Sequence, residues 1–366
     1  MIVDSHAHIF PFLGAPSGYP SASEHVRWLQ LYVASHPQPV RRLSDHSVVA
    51  ERGLSEPVIE TPDDLHEVGF RVEDNGRFVW THEGEELYTH FMPPSLQTTA
   101  CSAEYLLAEM AYAGVDSVVL QNAHLYGRLN EHFAAACAKH PGRFLGLAEV
   151  DECRGGDRDQ VEHLRIAVRD QGLRGLYYAT LGLLFGGHHQ TLDDERFEPL
   201  WKEVRHLGIP VFWEVLGAPV AGSEDLLAQI EHLNRWADRH PDIPCLFTHG
   251  FSPELLDAEI PEPVLSLLHR EQFLIEVLWP ISWGRDHRYP YGDLVRPLRN
   301  LLREAGASRL VWGSDMPNVL RHCTYEQSRS YLPALLRKVG AGGEEEAAIF
   351  GGNLRKLLSW PPAGTD

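Results

Sequence analysis

Short apolar runs alternate with amphipathic stretches along most of this 366-residue chain. Strand-length runs fall at 2–6, 115–121 (VDSVVLQ), 144–150 (FLGLAEV), 173–178 (LRGLYY), 209–215 (IPVFWEV), 244–249 (PCLFTH), 273–278 (FLIEVL) and 309–314 (RLVWGS). Stretches with helical periodicity lie between them, near 102–113, 128–140, 157–171, 195–207, 223–240, 261–271, 292–305 and 326–339. Gly or Pro punctuates many connections, as in Gly208-Ile209-Pro210 before the fifth run. Strands apolar on both faces and separated by helices predict a parallel sheet covered on both sides. Eight such units predict an α/β fold of the (β/α)8 TIM-barrel type, with chemistry at the C-terminal ends of the strands. A doubly wound open sheet fits less well, since no Gly-x-Gly-x-x-Gly follows any of the runs.

One region breaks the alternation. Residues 11–100 separate the first strand from the first regular helix, far more than an ordinary connection needs. Within it, 23–35 reads as a short helix. Phe70–Glu73 and Arg77–Trp80 read as a hairpin turned by Asn75-Gly76. The expectation is one domain over 1–366, with 11–100 inserted after strand one as a lid or pocket wall above the catalytic face.

Composition narrows the partners. Apolar residues make up 43% and aromatics 10%, enough for a large core. A formal net charge of −19 argues against nucleic acid and anionic membrane surfaces, both of which attract concentrated Lys and Arg. No run reaches the length of a membrane span, and the N-terminus carries no basic and apolar leader. The five cysteines (101, 137, 153, 245 and 323) are odd in number and widely spread, which suits reduced thiols in a cytoplasmic protein. A small-molecule substrate is the partner this composition leaves.

The chemistry begins at Val3-Asp4-Ser5-His6-Ala7-His8-Ile9, where His-x-His on a strand turns two imidazoles to one face. Such a pair suits a divalent metal. Three later strands end on ionisable groups: Glu214 inside an apolar run, His249 after Thr248, and Asp315 after Ser314. Taken singly, Asp315 reads as a helix N-cap, His249 as a satisfied core histidine and Glu214 as half of a salt bridge. Falling on the same end of a barrel as His6 and His8, they read together as a site.

Longer pieces are more specific. They are Asp4-Ser5-His6-Ala7-His8, Tyr126-Gly127-Arg128, Pro141-Gly142-Arg143-Phe144 and Leu192-Asp193-Asp194-Glu195-Arg196-Phe197-Glu198-Pro199-Leu200-Trp201. Thr248-His249-Gly250, Val311-Trp312-Gly313-Ser314-Asp315-Met316-Pro317 and Ile349-Phe350-Gly351-Gly352-Asn353-Leu354 follow. In this order they resemble the amidohydrolase superfamily, and within it the amidohydrolase-2 branch. That branch includes decarboxylases of the aminocarboxymuconate-semialdehyde and resorcylate types beside lactonases, other hydrolases and a hydratase. The resemblance implies that His6, His8 and Asp315 bind one divalent metal, zinc first and manganese second. It implies that Asp315 also touches the metal-bound water or shuttles a proton, and that His249 acts beside the substrate as acid, base or electrophile. Relatives usually carry a further metal-binding histidine at the end of strand five. Glu214 stands there instead, read first as an oxygen ligand, second as a base beside a three-ligand metal, and third as a mark of lost function.

Such a centre supports hydrolysis of an amide, lactone or ester of a small aromatic or carboxylated molecule by metal-activated water. The alternative is metal-dependent, non-oxidative decarboxylation of an aromatic or unsaturated acid; an inactive scaffold is the third reading. Trp283, Arg285, His124 and Arg128 are the expected substrate-binding residues, with Asn122, Tyr126, His188, His189, His287 and Arg288 near them in sequence. The resemblance also implies a homo-oligomer, dimer or tetramer.

Overall fold

The computed structural model describes every residue except 37, 58, 60, 61, 186–190, 216–222, 284–286 and 361–366, and the backbone alone at 62, 184, 185, 223–225, 282 and 283. The strands among these residues are β1 (Val3–Ala7), β2 (Val40–Arg42), β3 (Val48–Val49), β4 (Arg71–Val72), β5 (Arg77–His82), β6 (Glu85–His90) and β7 (Ser117–Leu120). They continue with β8 (Phe144–Gly146), β9 (Leu176–Ala179), β10 (Val211–Glu214), β11 (Cys245–Phe247), β12 (Phe273–Val277) and β13 (Leu310–Trp312). The fold is α/β with parallel sheets. One sheet has the order β1-β7-β8, the other β13-β12-β11-β10-β9. Single parallel bridges, Ala148 to Leu176 and Ala7 to Met316, join the two sheets at both seams.

All eight apolar runs become parallel strands, and each helical stretch becomes a helix within a few residues, as at Ala103–Ala113, Ser223–Arg239 and Tyr325–Val339. The strands are shorter than the apolar runs that predict them. After β8, for example, Leu147, Ala148 and Val150 remain buried although they lie beyond the strand. Burial at the strand ends therefore reaches past the hydrogen-bonded ladder, and apolar pattern reports burial. Gly208 (φ 65°) closes helix Glu198–Leu207 in the left-handed conformation that a helix C-cap favours.

β10 explains how a carboxylate can sit in an apolar strand. Side chains alternate between faces. Trp213 packs on Trp236 (ring centroids 4.8 Å apart) and Trp201 (5.4 Å), both on covering helices. Its neighbour Glu214 therefore points the other way, into a cavity at the strand ends. The conspicuous Leu192–Trp201 motif is largely structural: Asp193 accepts hydrogen bonds from His232 and Arg235, and Trp201 is fully buried.

The long excursion leaves and rejoins the parallel strands through one antiparallel bridge. Phe10 N–H donates to Cys101 C=O (2.8 Å) and Cys101 N–H to Phe10 C=O (2.9 Å). Closed ends make a long insertion thermodynamically cheap. The expected helix is Ala22–Ser35, capped by the Ser21 side chain, and the expected hairpin pairs Arg71 with Val79 and Val72 with Phe78. Asn75 (φ 61°) and Gly76 (φ 70°) supply its left-handed turn. The structure adds three strands that the pattern did not reveal, completing an antiparallel sheet of order β3-β2-β6-β5-β4. β2 and β3 span three and two residues, too short for any periodicity to register. The segment is pinned to the loop after β7: His25 bonds the Ala15 and Leu125 carbonyls, and Trp28 stacks on His124 at 4.1 Å. Cys101, Cys137, Cys245 and Cys323 form no disulfide, and among the described residues no helix is long and apolar enough to cross a membrane.

Candidate metal centre and active site

A cavity of about 920 Å³ opens at the C-terminal ends of the parallel strands. Its floor carries His6, His8, Glu214, His249 and Asp315, so all the expected strand-end residues meet there. The inserted segment forms much of its wall, through Tyr32, His36, Arg41, Tyr88, His90 and Phe91.

His6, His8 and Asp315 converge most closely, with ligating atoms all within 4.8 Å of one another. His6 Nδ1 lies 3.0 Å from Glu276 Oε2, and His8 Nδ1 lies 2.8 Å from the Gln121 carbonyl. Both partners are acceptors, so each Nδ1 carries the proton and each neutral ring presents an Nε2 lone pair. Those two Nε2 atoms face each other at 3.1 Å, and Asp315 Oδ1 stands 2.9 Å from His8 Nε2. Three electron-rich atoms aimed at one point repel unless a cation lies among them. The donor set fits a divalent metal, and three protein ligands leave it an open position. Two further fits agree. Asn318 Nδ2 donates to Asp315 Oδ1 (2.8 Å), and Tyr126, tilted against His8 with ring centroids 4.3 Å apart, accepts from the same amide.

The electrostatics follow from this crowding. Burial opposes ionisation of Asp315, but the charge of His6 wins and holds it well below the usual carboxylate range. Burial also opposes protonation of His6, yet Glu276 raises it to about 9, so in the absence of a cation a proton takes its place there. His249 is lowered, by burial first and then by the charge of His6. Glu214 is raised to about 7, by burial first, against the pull of the Tyr177 hydroxyl and His6.

Backbone strain marks the same spot. Asp315 (φ 61°) and His249 (φ 60°) both adopt the left-handed region, which costs a non-glycine residue on the order of 1 kcal/mol. The chain holds Asp315 there through its N–H to the His6 carbonyl (2.9 Å), and His249 through its N–H to Glu276 Oε2 (2.7 Å). Glu276 thus accepts from Ser5, His6 and the His249 amide at once, fully buried. Gly313 makes room for it: a Cβ there would lie 2.6 Å from Glu276 Oε1. Asp4 does the matching work between β1 and β13, accepting from Ser314, Tyr325 and the His6 amide, and burial pushes it up to about 6.

The other expected residues fall elsewhere. Glu214 lines the cavity but stands outside the His6–His8–Asp315 group; its Oε1 is 3.7 Å from His249 Nδ1 and its Oε2 has no hydrogen-bond partner among the described residues. His124 and Arg128, expected to bind substrate, do not line the cavity. His124 is paired with Glu152 at 2.7 Å under Trp28, and Arg128 covers the Tyr19 ring and faces Glu149. Their polar groups belong to a network behind the wall, in which the Tyr19 hydroxyl also bonds His124. Asn122 closes the same loop on Gly127, and His287 pairs with Asp293 outside the cavity. The Trp283 side chain, Arg285, His188 and His189 lie outside the described residues.

Sequence reasoning missed Glu276, Asp4, Asn318 and Arg321. Glu276 carried a usable signal, the same one as Glu214: a carboxylate inside an apolar strand. Asn318 and Arg321 had none, lying in an irregular turn after β13.

Residues 3–360 match the Amidohydrolase family model. A 2-amino-3-carboxymuconate-6-semialdehyde decarboxylase of Dictyostelium discoideum is 31% identical over 93 residues, which span 24% of this chain and 24% of that relative. Among solved structures, an amidohydrolase from Burkholderia multivorans with bound zinc is similar with a TM-score of 0.55 at 18% identity, covering 70% of this chain and 88% of that one. A 2,6-dihydroxybenzoate decarboxylase from Rhizobium is similar with a TM-score of 0.53 at 18% identity, covering 70% and 88%.

Proposed function

Because the chain belongs to the amidohydrolase family, amidohydrolase-2 branch, we propose that it is a metal-dependent hydrolase of small molecules, built on a (β/α)8 barrel closed at the two bridged seams. The bond cleaved is an amide, ester or lactone. The observation that carries this reading is the pair of opposed Nε2 lone pairs of His6 and His8, 3.1 Å apart and flanked by Asp315.

A divalent cation bound there supplies Lewis acidity, activating water and polarising a carbonyl. Zinc suits two imidazoles and a carboxylate best, with manganese second. The chain's own groups supply the rest. Glu276 and the Gln121 carbonyl fix the two imidazoles in the tautomer that offers Nε2. Asn318 donates to Asp315 Oδ1 and keeps that carboxylate oriented. Glu214, raised to about 7 and lining the cavity, accepts a proton from water through its carboxylate and returns it to the leaving group. His249, half-buried and 3.7 Å from Glu214, is a neutral imidazole that hydrogen-bonds the reacting carbonyl. Tyr126 and Phe91 on the wall exclude water from around the bound molecule.

Decarboxylation is the second reading. It draws on the Dictyostelium relative, and the same Glu214 carboxyl in its protonated form would deliver a proton to carbon. Metal analysis of the purified protein is expected to find about one zinc or manganese per chain. Chelation should abolish turnover and zinc should restore it; an empty, chelator-insensitive protein would remove this function. Screening lactones, aryl amides and hydroxybenzoates with CO2 monitored decides between the two chemistries.

A further inference from the structure

The chain has a net charge of −19, yet the cavity wall formed by the insertion and the turn after β13 carries two arginines, Arg41 and Arg321. Arg321 is the least ordinary of these. Its Nε donates to the Asn318 carbonyl (3.2 Å) and its Nη1 to the Phe91 carbonyl (2.6 Å), while the guanidinium lies 5.7 Å from the Phe91 ring centroid. Nη2 has no hydrogen-bond partner among the described residues, and no described carboxylate lies within 4.0 Å of the guanidinium. Arg165, Arg205 and Arg71 pair with Glu203, Asp242 and Glu86, whereas Arg52 and Arg309, like Arg321, bond backbone carbonyls; of these three only Arg321 lines the cavity. A half-buried arginine facing a cavity with one edge unused is a receptor for an anion.

We propose that Arg321 selects the substrate, its guanidinium binding a carboxylate that is separate from the group reacting at His6, His8 and Asp315. The substrate class is then a small carboxylic acid that carries a second, hydrolysable function. This deepens the hydrolase reading and rests on it for the reaction, whereas the binding claim stands on the cavity alone. Two backbone carbonyls and an aromatic face already hold the guanidinium, so little side-chain freedom is lost when the anion arrives. One of those carbonyls belongs to the insertion, at the residue following β6, so seating the insertion positions the selecting group. A second unsatisfied donor, the Tyr32 hydroxyl, lines the same cavity and stays protonated because burial raises it.

A merely structural Arg321, tying the insertion to the turn after β13, would leave charge preference untouched. The test is titration calorimetry on the chelator-treated full chain, with isophthalate and its uncharged counterpart isophthalamide as probes. Wild type should prefer isophthalate by about tenfold or more, the worth of a charge-assisted hydrogen bond. Arg321→Gln should abolish that preference, and Arg321→Lys, which keeps the charge but loses the fork, should retain part of it. Thermal melts check that each variant folds; should the Gln variant fail, a reduced preference in the Lys variant carries the result. No saturable isophthalate binding by wild type, or a preference that survives in both variants, overturns the proposal. Failure of metal uptake or turnover overturns the hydrolase reading and leaves this titration unaffected.

Discussion

Replacing Glu276 by Gln keeps its shape while removing the charge that Ser5, His6 and the His249 amide all share. The His6 ring then faces at best a neutral amide oxygen in place of the carboxylate that holds its tautomer and raises its basicity. Metal affinity should fall by roughly ten- to a hundredfold, as it does when such outer partners are removed, and competition against a chromophoric chelator measures this. Glu214→Gln is expected to behave differently. Metal content stays at the wild-type level because Glu214 lies outside the ligating group, while turnover drops by about a hundredfold or more through loss of the proton carrier. Loss of the metal in that variant would instead make Glu214 a ligand. His36 makes a separate prediction about stability. Burial holds it near 4, against the bond to the Tyr32 carbonyl and with help from Arg321. The folded protein therefore keeps this ring neutral at pH values where the unfolded chain protonates it. Its stabilising contribution is complete above the ordinary value of 6.5 and is lost as pH falls through 6.5 towards about 4. Urea midpoints should fall more between pH 7 and pH 5 for wild type than for His36→Gln; equal losses would rule this out.

At the level of elements, the predicted hairpin at 70–80 was legible because Asn-Gly names its own turn, whereas β2, β3 and β6 gained their identity only from pairing with one another. The turn is also tightly enclosed. Gly76 combines φ 70° with a Cβ position only 2.3 Å from the Met92 carbonyl. Gly76→Ala should therefore loosen the inserted sheet without unfolding the parallel strands, and limited proteolysis should cut between 71 and 90 sooner than in wild type. β10 makes the opposite case. Trp213 anchors it against Trp201 and Trp236 with no exposed surface, so Trp213→Ala should cost about 3–5 kcal/mol of global stability.

For the whole molecule, the proposed cation would couple to the fold. A metal that binds only the folded chain stabilises it by about 4 kcal/mol at a thousandfold excess over its dissociation constant. Melting curves with and without a chelator should therefore differ for wild type and coincide for His6→Ala. The insertion belongs to the same linkage, because its residues wall the cavity and its Phe91 carbonyl holds Arg321.

The sequence by itself determined the alternation of strands and helices, the limits of the excursion at 11–100, and the convergence of His6, His8, Glu214, His249 and Asp315 at one end of the strands. Those features are local: burial pattern sets strand against helix, alternation sets which side chains share a face, and parallel topology sends every strand end to the same side. Tertiary structure alone decided where each group stands there. That Glu276 orients His6, that Glu214 stands apart from His6, His8 and Asp315, that His124 and Arg128 belong to a network behind the wall, and that Arg321 faces the cavity all depend on contacts between residues far apart in the chain. No periodicity encodes such contacts, since they arise only when the strands, the turn after β13 and the inserted sheet close around one space.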